Sequence, residues 1–379
     1  MEHERLLATS SAVVVCMNGS QQGNMSYANN SGIQRAIASL TKKARQDMAA
    51  ALYRARGFPA SMSIADLGCG TGPNALLLVS DAVEAVLAAA KATGDDGEVL
   101  APPELHVFLN DLPNNDFNAV FRLLPSSPLS GSGCLVSAWP GSFYGRILPE
   151  ASLDYVVSSS SLHYLSQTPT MKKTVSRGRV YMSAGCPAAV LDAYRAQLET
   201  DFSAFLRCRA AEMRPRGLLL LTFVARRTTS PTEHDCYLWD VLAAALMDLA
   251  AAGLIDEEQV HAFNLPIYTP CPDDLLDVVS KEGSFTITTM HFFRFLALKI
   301  PHFTKDKDED ELPRWLAMEA ANCLRAFLEP TLQVHFGRAA MDELFCRYCL
   351  LLEVYYRNKA TKNEEDVTNV FLVLEKKQH

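Results

Sequence analysis

The chain has 379 residues, of which 49% are hydrophobic and 21% charged, with a formal net charge of −8. That balance supplies ample core material and excludes disorder over most of the length. The acidic excess also excludes a broad nucleic-acid-binding face, which needs clustered Lys and Arg. At about one domain per 150 residues, the length allows two or three domains or one large core with insertions. No apolar run reaches the ~20 residues of a bilayer span. Glu2 and Glu4, beside a single Arg5, precede the short apolar stretch at 12–17 and do not make a basic n-region, so the sequence reads without a signal peptide and without a membrane partner. Ten cysteines are scattered along it, and Cys346 and Cys349 form the only Cys-x-x-Cys pair. They read as buried free thiols of a reducing compartment, which places the chain in the cytoplasm.

In chain order, residues 1–35 are polar and Gly/Asn-rich and read as an arm or lid, and 36–56 as a helix. A short apolar strand at 64–67 runs into Gly68-Cys69-Gly70-Thr71-Gly72-Pro73-Asn74, and 75–91 is an Ala/Leu-rich helix. Pro73 suits the first helical turn, where its missing N–H costs nothing. Three further strands follow. Residues 106–109 end at Asn110-Asp111, 134–138 lead into Pro140-Gly141-Ser142-Phe143, and 153–157 run into the serine cluster 158–161. The unbroken apolarity of 218–224 marks a fifth strand, buried on both faces. Short apolar strands separated by crossovers predict a mostly parallel α/β sheet. Beyond 225 the sequence predicts a helix at 236–253, a loop with three prolines at 264–272 and a strand at 285–296. A charged solvated loop at 305–311, helices at 315–336 and 339–356 and a terminal strand at 367–374 complete it. The expected organisation is one α/β core (36–225 and 336–379) with a mainly helical cap (226–335), the arm lying over the site.

The turn at 68–74 is the strongest local signal. Closely spaced glycines let backbone pass near a ligand, and the helix that follows presents free N–H groups. A dinucleotide fingerprint would need glycine at 73, which is Pro, and no Lys-Ser/Thr follows to make a phosphate loop. An Asp-x-Gly-x-Gly-x-Gly turn instead suits S-adenosylmethionine (SAM). Asp111, at the carboxyl end of the next strand, stands where an acid can accept hydrogen bonds from both ribose hydroxyls.

Together the segments MNGSQQGNMSYANNSGIQ, IADLGCGTGPNAL, FLNDLPNNDFN, PGSFYGRILP, SSSSLHYLSQTP, AFNLPIYTP and VTNVFLVLEKK resemble the plant SABATH carboxyl methyltransferases. These act on salicylate, benzoate, jasmonate or theobromine-type substrates. The resemblance implies a Rossmann-like SAM methyltransferase core whose last strand is antiparallel, a helical cap and a homodimer. It places cofactor contacts on Asn18, Tyr27, Ser31, Gly68, Cys69, Asn74, Asp111, Leu112, Ser142 and Phe143, with the adenine between Phe143 and Leu112 and S-adenosylhomocysteine (SAH) as product. Substrate contacts fall on Gln34, Ser160, His163, Tyr164, Phe223, Leu238, Trp239, Leu324 and Val367.

In much of the family Gln34 and a Trp at the position of Tyr164 hold the substrate carboxylate. A phenol can still donate there, though it is shorter. Ser160 stands where many members carry Tyr, and Val367 where an aromatic often closes the pocket, so both open space. The magnesium positions of some members match Ser176, His261, Phe263 and Asn264. The usual Asn and Asp are replaced by Ser176 and His261, which speaks against a bound magnesium, an ion that prefers carboxylate oxygens. The expected reaction is in-line transfer of a methyl to a small apolar carboxylic acid of the salicylate, benzoate, jasmonate or indole-acetate class. Such an acid is already ionised at pH 7, so no obligatory base is expected. N-methylation of a purine-like substrate and a catalytically weak SAM- or hormone-binding relative stand as alternatives.

Overall fold

The computed structural model describes residues 31–91, 101–169, 178–295, 311–359 and 367–378. Seven strands form one sheet in the order β3-β2-β1-β4-β5-β7-β6. They are β1 (Ser61–Leu67), β2 (Glu104–Asp111), β3 (Leu135–Pro140), β4 (Leu153–Ser159), β5 (Met213–Val224), β6 (Phe285–Phe295) and β7 (Val367–Lys376). β1 to β5 pair in parallel, and β7 inserts antiparallel between β5 and β6. The order reverses between β1 and β4, the point at which open α/β sheets bind ligands beyond their strand ends.

Helices cover both faces. On one, α1 (Gly32–Ala55) lies against β4 and β5, and α2 (Leu77–Lys91) packs beside it over β1. On the other, the main apolar cluster gathers α4 (Ala188–Glu212), α5 (Glu233–Ala251), α6 (Glu257–Ala262), α7 (Pro272–Glu282), α8 (Leu312–Phe336) and α9 (Met341–Lys359). A short α3 (Phe117–Leu123) follows β2. Local chemistry sets several ends. Thr232 and Asp235 form a reciprocal cap on α5, and Asp116 caps α3. Pro272 opens α7, and Gly283 closes it in the left-handed conformation.

Four sequence expectations need correction. Residues 32–35, assigned to the arm, form the first turn of α1, so Gln34 sits on a helix. The span 226–335 contributes β6 to the sheet, because β7 offers it an antiparallel edge, while α9, placed in the core span, packs on α5 and α8. Cys346 is exposed and Cys349 only half-buried, since both lie towards the outer side of α9. Residues 73–91 do have the length and apolarity of a membrane span, but 61% of that stretch is buried inside the fold. There Asp81 is paired with Arg45 of α1 at 2.7 Å, the signature of a core helix. The charged stretch at 305–310 lies outside the described residues.

Candidate active site

The glycine turn is built by its neighbours. Gly68 has φ +77°, and a Cβ there would collide with the Ser161 side chain, whose own Cβ would lie 2.6 Å away. Only glycine fits both constraints. The N–H groups of Gly68 and Cys69 donate to the Asn110 carbonyl at 2.8 and 2.9 Å, tying the turn to the end of β2. Asn110 itself donates through Nδ2 to the Trp139 and Gly141 carbonyls, which ties β2 to the end of β3. Asp111 accepts from the Gly70 N–H at 2.6 Å and the Leu112 N–H at 2.7 Å. It therefore shapes the turn, and its carboxylate keeps lone pairs for a further donor. Asn74 donates to both the carbonyl and the hydroxyl of Ser31 at 2.9 Å. Gly68, Cys69, Asn74, Ser31, Asp111 and Leu112 thus gather at one place. Asn18 and Tyr27 lie outside the described residues. Burial holds the Cys69 thiol well above its usual range, which keeps it a neutral packing group.

Ser142 and Phe143 follow β3 in a loop, with Ser142 exposed and Phe143 half-buried. The Phe143 ring lies 3.5 Å from where a Gly68 side chain would begin, beside the turn.

Asp66, which sequence reasoning quoted in the motif but gave no role, is the notable addition. It is 2% exposed near the end of β1, and its Oδ1 has no hydrogen-bond partner among the described residues. Burial first, then the neighbouring Asp111 carboxylate, push it up to about 8. An orphaned acid behind a glycine cradle suits a ligand that carries positive charge, and SAM carries two such groups. The residues present therefore fit that cofactor.

The second half of the site is an apolar cavity of about 130 Å³ that adjoins the turn through the serine cluster. Ser161 touches Gly68, its hydroxyl 3.2 Å from the Gly68 carbonyl, while Ser160 lines the cavity. Ser160 adopts φ +65°, a strained left-handed turn that swings the chain off the end of β4. Its N–H donates to the Thr222 carbonyl at 2.6 Å. Of the nine expected substrate residues, Gln34, Ser160, His163, Tyr164, Leu238, Trp239, Leu324 and Val367 all line this cavity. Phe223 does not. Strand alternation sends it into the core, 1% exposed, edge-on to Phe202, while its neighbour Val224 reaches the cavity.

Tyr164 is held by a bridge to Ile267, in the proline loop, and its ring meets Phe327 of α8 edge-on at 6.1 Å. The Tyr144 hydroxyl donates to the Tyr164 carbonyl. Gln34 Nε2 donates to the Cys323 thiol at 3.4 Å, which leaves its second N–H available. Cys323 was not anticipated, because nothing in sequence joins it to Gln34 across 289 positions. His163 is buried, and burial alone pulls its imidazole down to about 4, so it is neutral at pH 7.

Of the magnesium positions, His261 accepts the Gly178 N–H at Nδ1 and meets Glu257 at Nε2, which occupies both ring nitrogens. Phe263 is buried against Phe336, and the Asn264 side-chain oxygen is buried without a partner among the described residues. Ser176 lies outside the described residues, among which no group of three His, Cys, Asp or Glu converges.

A doubly wound sheet, a glycine turn beside a strand-end acid and an adjoining apolar cavity define a SAM-dependent methyltransferase. Residues 12–377 match the family described as SAM dependent carboxyl methyltransferase, and the chain belongs to it. It is 40% identical over 341 residues to salicylate carboxymethyltransferase of Clarkia breweri, covering 90% of this chain and 93% of that protein. It is 39% identical over 369 residues to jasmonate O-methyltransferase of Arabidopsis thaliana, covering 88% and 92%. Among solved structures, a loganic acid methyltransferase with SAH superposes with a TM-score of 0.82 at 29% identity, covering 95% of this chain and 98% of that one.

Proposed function

We propose that this carboxyl methyltransferase esterifies a small apolar acid of about one ring. The observation that carries this reading is the cavity. Its volume of about 130 Å³ is close to the ~150 Å³ apolar cavity that admits benzene. Gln34 and Tyr164 supply polar groups in an otherwise largely apolar lining. When bound, SAM supplies an electrophilic methyl on a sulfonium.

The chain's own residues then do three things. Gln34 and Tyr164 donate to the carboxylate and aim one oxygen, each contact strengthened by the charge of its acceptor. Leu238, Trp239, Leu324 and Val367 exclude water from the reacting face. His163 stays neutral and packs; an acid with a pKa near ~4 needs no base to ionise it at pH 7. Alignment is the main source of rate.

The reading is tested by radiolabel transfer from SAM to a panel of benzoate-, salicylate-, indole-acetate- and jasmonate-sized acids and a purine. The expected result is highest kcat/KM for single-ring acids. Preference for the jasmonate-sized acid refutes the size argument, and transfer to the purine alone refutes the carboxylate.

A further inference from the structure

The loop between β3 and β4 carries Ser142 and Phe143 without regular secondary structure of its own. Two side chains of α4, each 0% exposed, satisfy its backbone. Arg209 Nη1 donates to the Phe143 carbonyl at 2.9 Å, and Nη2 donates to the Gly145 carbonyl at 3.0 Å. The same Nη2 lies 2.8 Å from Glu212 Oε2. Glu212 Oε1 accepts from the Ile147 N–H at 2.7 Å and the Leu148 N–H at 3.1 Å. The Arg209 guanidinium also sits 5.2 Å from the Phe205 ring centre, and Phe205 meets Phe143 edge-on at 5.8 Å.

A buried ion pair is a poor source of stability. Desolvating both charges offsets most of their attraction, and apolar residues of the same volume often do as well. Apolar residues could not, however, bind two loop carbonyls and two loop N–H groups at once. What the pair supplies is the conformation of six consecutive residues. We propose that Arg209 and Glu212 are positioning residues for the cofactor site, setting Phe143 against the adenine through the loop. This rests on the reading that the adenine lies on Phe143.

The test is SAH titration by calorimetry on Phe143→Ala, Arg209→Lys and the double variant, with circular dichroism and thermal melts to establish folding. Phe143→Ala should weaken SAH about ten-fold, the ordinary cost of a lost base–aromatic stack. Arg209→Lys keeps the charge and loses the two-pronged donor, and should weaken SAH several-fold in folded protein. The double variant should be no weaker than Phe143→Ala, because the two act along one path. A lowered melting temperature with unchanged SAH affinity in Arg209→Lys, or losses that multiply in the double variant, overturns the positioning role. Unchanged affinity in Phe143→Ala instead overturns the adenine reading, and the pair's assignment to Phe143 with it. Should Arg209→Lys not fold, Glu212→Gln keeps an oxygen for the Ile147 and Leu148 N–H groups, removes the charge and sets an amide NH2 in place of the oxygen that faces Arg209 Nη2, which loosens the pair from the other side. It should show the same non-additive loss, and an additive one or none refutes the proposal.

Discussion

The two halves of the site are made of different materials. The cofactor side is mostly backbone: a turn at 68–72, braced by Asn110 and Asp111 from the adjacent strand. The substrate side is side chain, drawn from α1, the end of β4, the end of β5, α5, the proline loop, α8 and β7. A backbone turn tolerates little change, since its conformation is set by φ and by close approach. A cavity wall of aliphatic and aromatic groups can be recut one residue at a time while the fold holds. On the proposed reading, the methyl donor belongs to the first half and the choice of acid to the second.

The sharpest break should come at Gly68. Gly68→Ala puts a Cβ into Ser161 and forces an L-residue to φ +77°. SAH affinity should fall by at least about 100-fold, because left-handed strain of ~1–2 kcal/mol adds to the clash. Calorimetry on folded variant protein reads it directly, and retained affinity would show that the turn does not approach the cofactor.

Gln34→Ala should act on the other half alone. KM for the preferred acid should rise about ten-fold, the value of one hydrogen bond to a charged acceptor, with SAH affinity unchanged. Steady-state kinetics paired with SAH binding separates the halves. Equal losses in both would mean that α1 serves the cofactor as well.

Asp66 offers a pH test of the first half. With its carboxyl raised to about 8, it holds its proton at pH 7 in the free protein. Positive charge on SAM favours the ionised form, so binding at pH 7 should release a proton, and affinity should rise as pH climbs from 6 towards 8. Calorimetry in buffers of different ionisation heat counts that proton. Asp66→Asn should remove the release and weaken binding a few-fold, roughly 1 kcal/mol. Release that persists in the variant would place the titrating group elsewhere.

Tyr164→Phe should give the smallest effect, a rise in acid KM of two- to five-fold, or about 0.5–1 kcal/mol. The ring keeps its contact with Phe327 and the chain keeps its bridge to Ile267, so only the hydroxyl is lost. Kinetics identical to the parent on its best acid would make Tyr164 a packing residue and reduce the clamp to Gln34.

What the sequence by itself determined is whatever is written in neighbouring residues. The glycine turn, the strand-end acid Asp111 and the apolar runs of β1, β4 and β5 are local patterns. Their spacing follows from backbone geometry, so the cofactor half and the parallel core are legible in one dimension. The family resemblance carried eight of the cavity residues as well. Phe223 shows its limit: alternation decides which of two adjacent strand residues faces the cavity, and Val224 took the place. Only the tertiary structure decided the rest. β6 joined the sheet because β7 exposed an edge to it. Cys323 met Gln34 because the fold brings α8 within reach of the start of α1. Arg209 and Glu212, on a helix that sequence reasoning did not predict, found their partners some 64 to 66 residues back along the chain. Buried polar groups must be satisfied wherever the fold puts them, and no local pattern announces which distant backbone will need them.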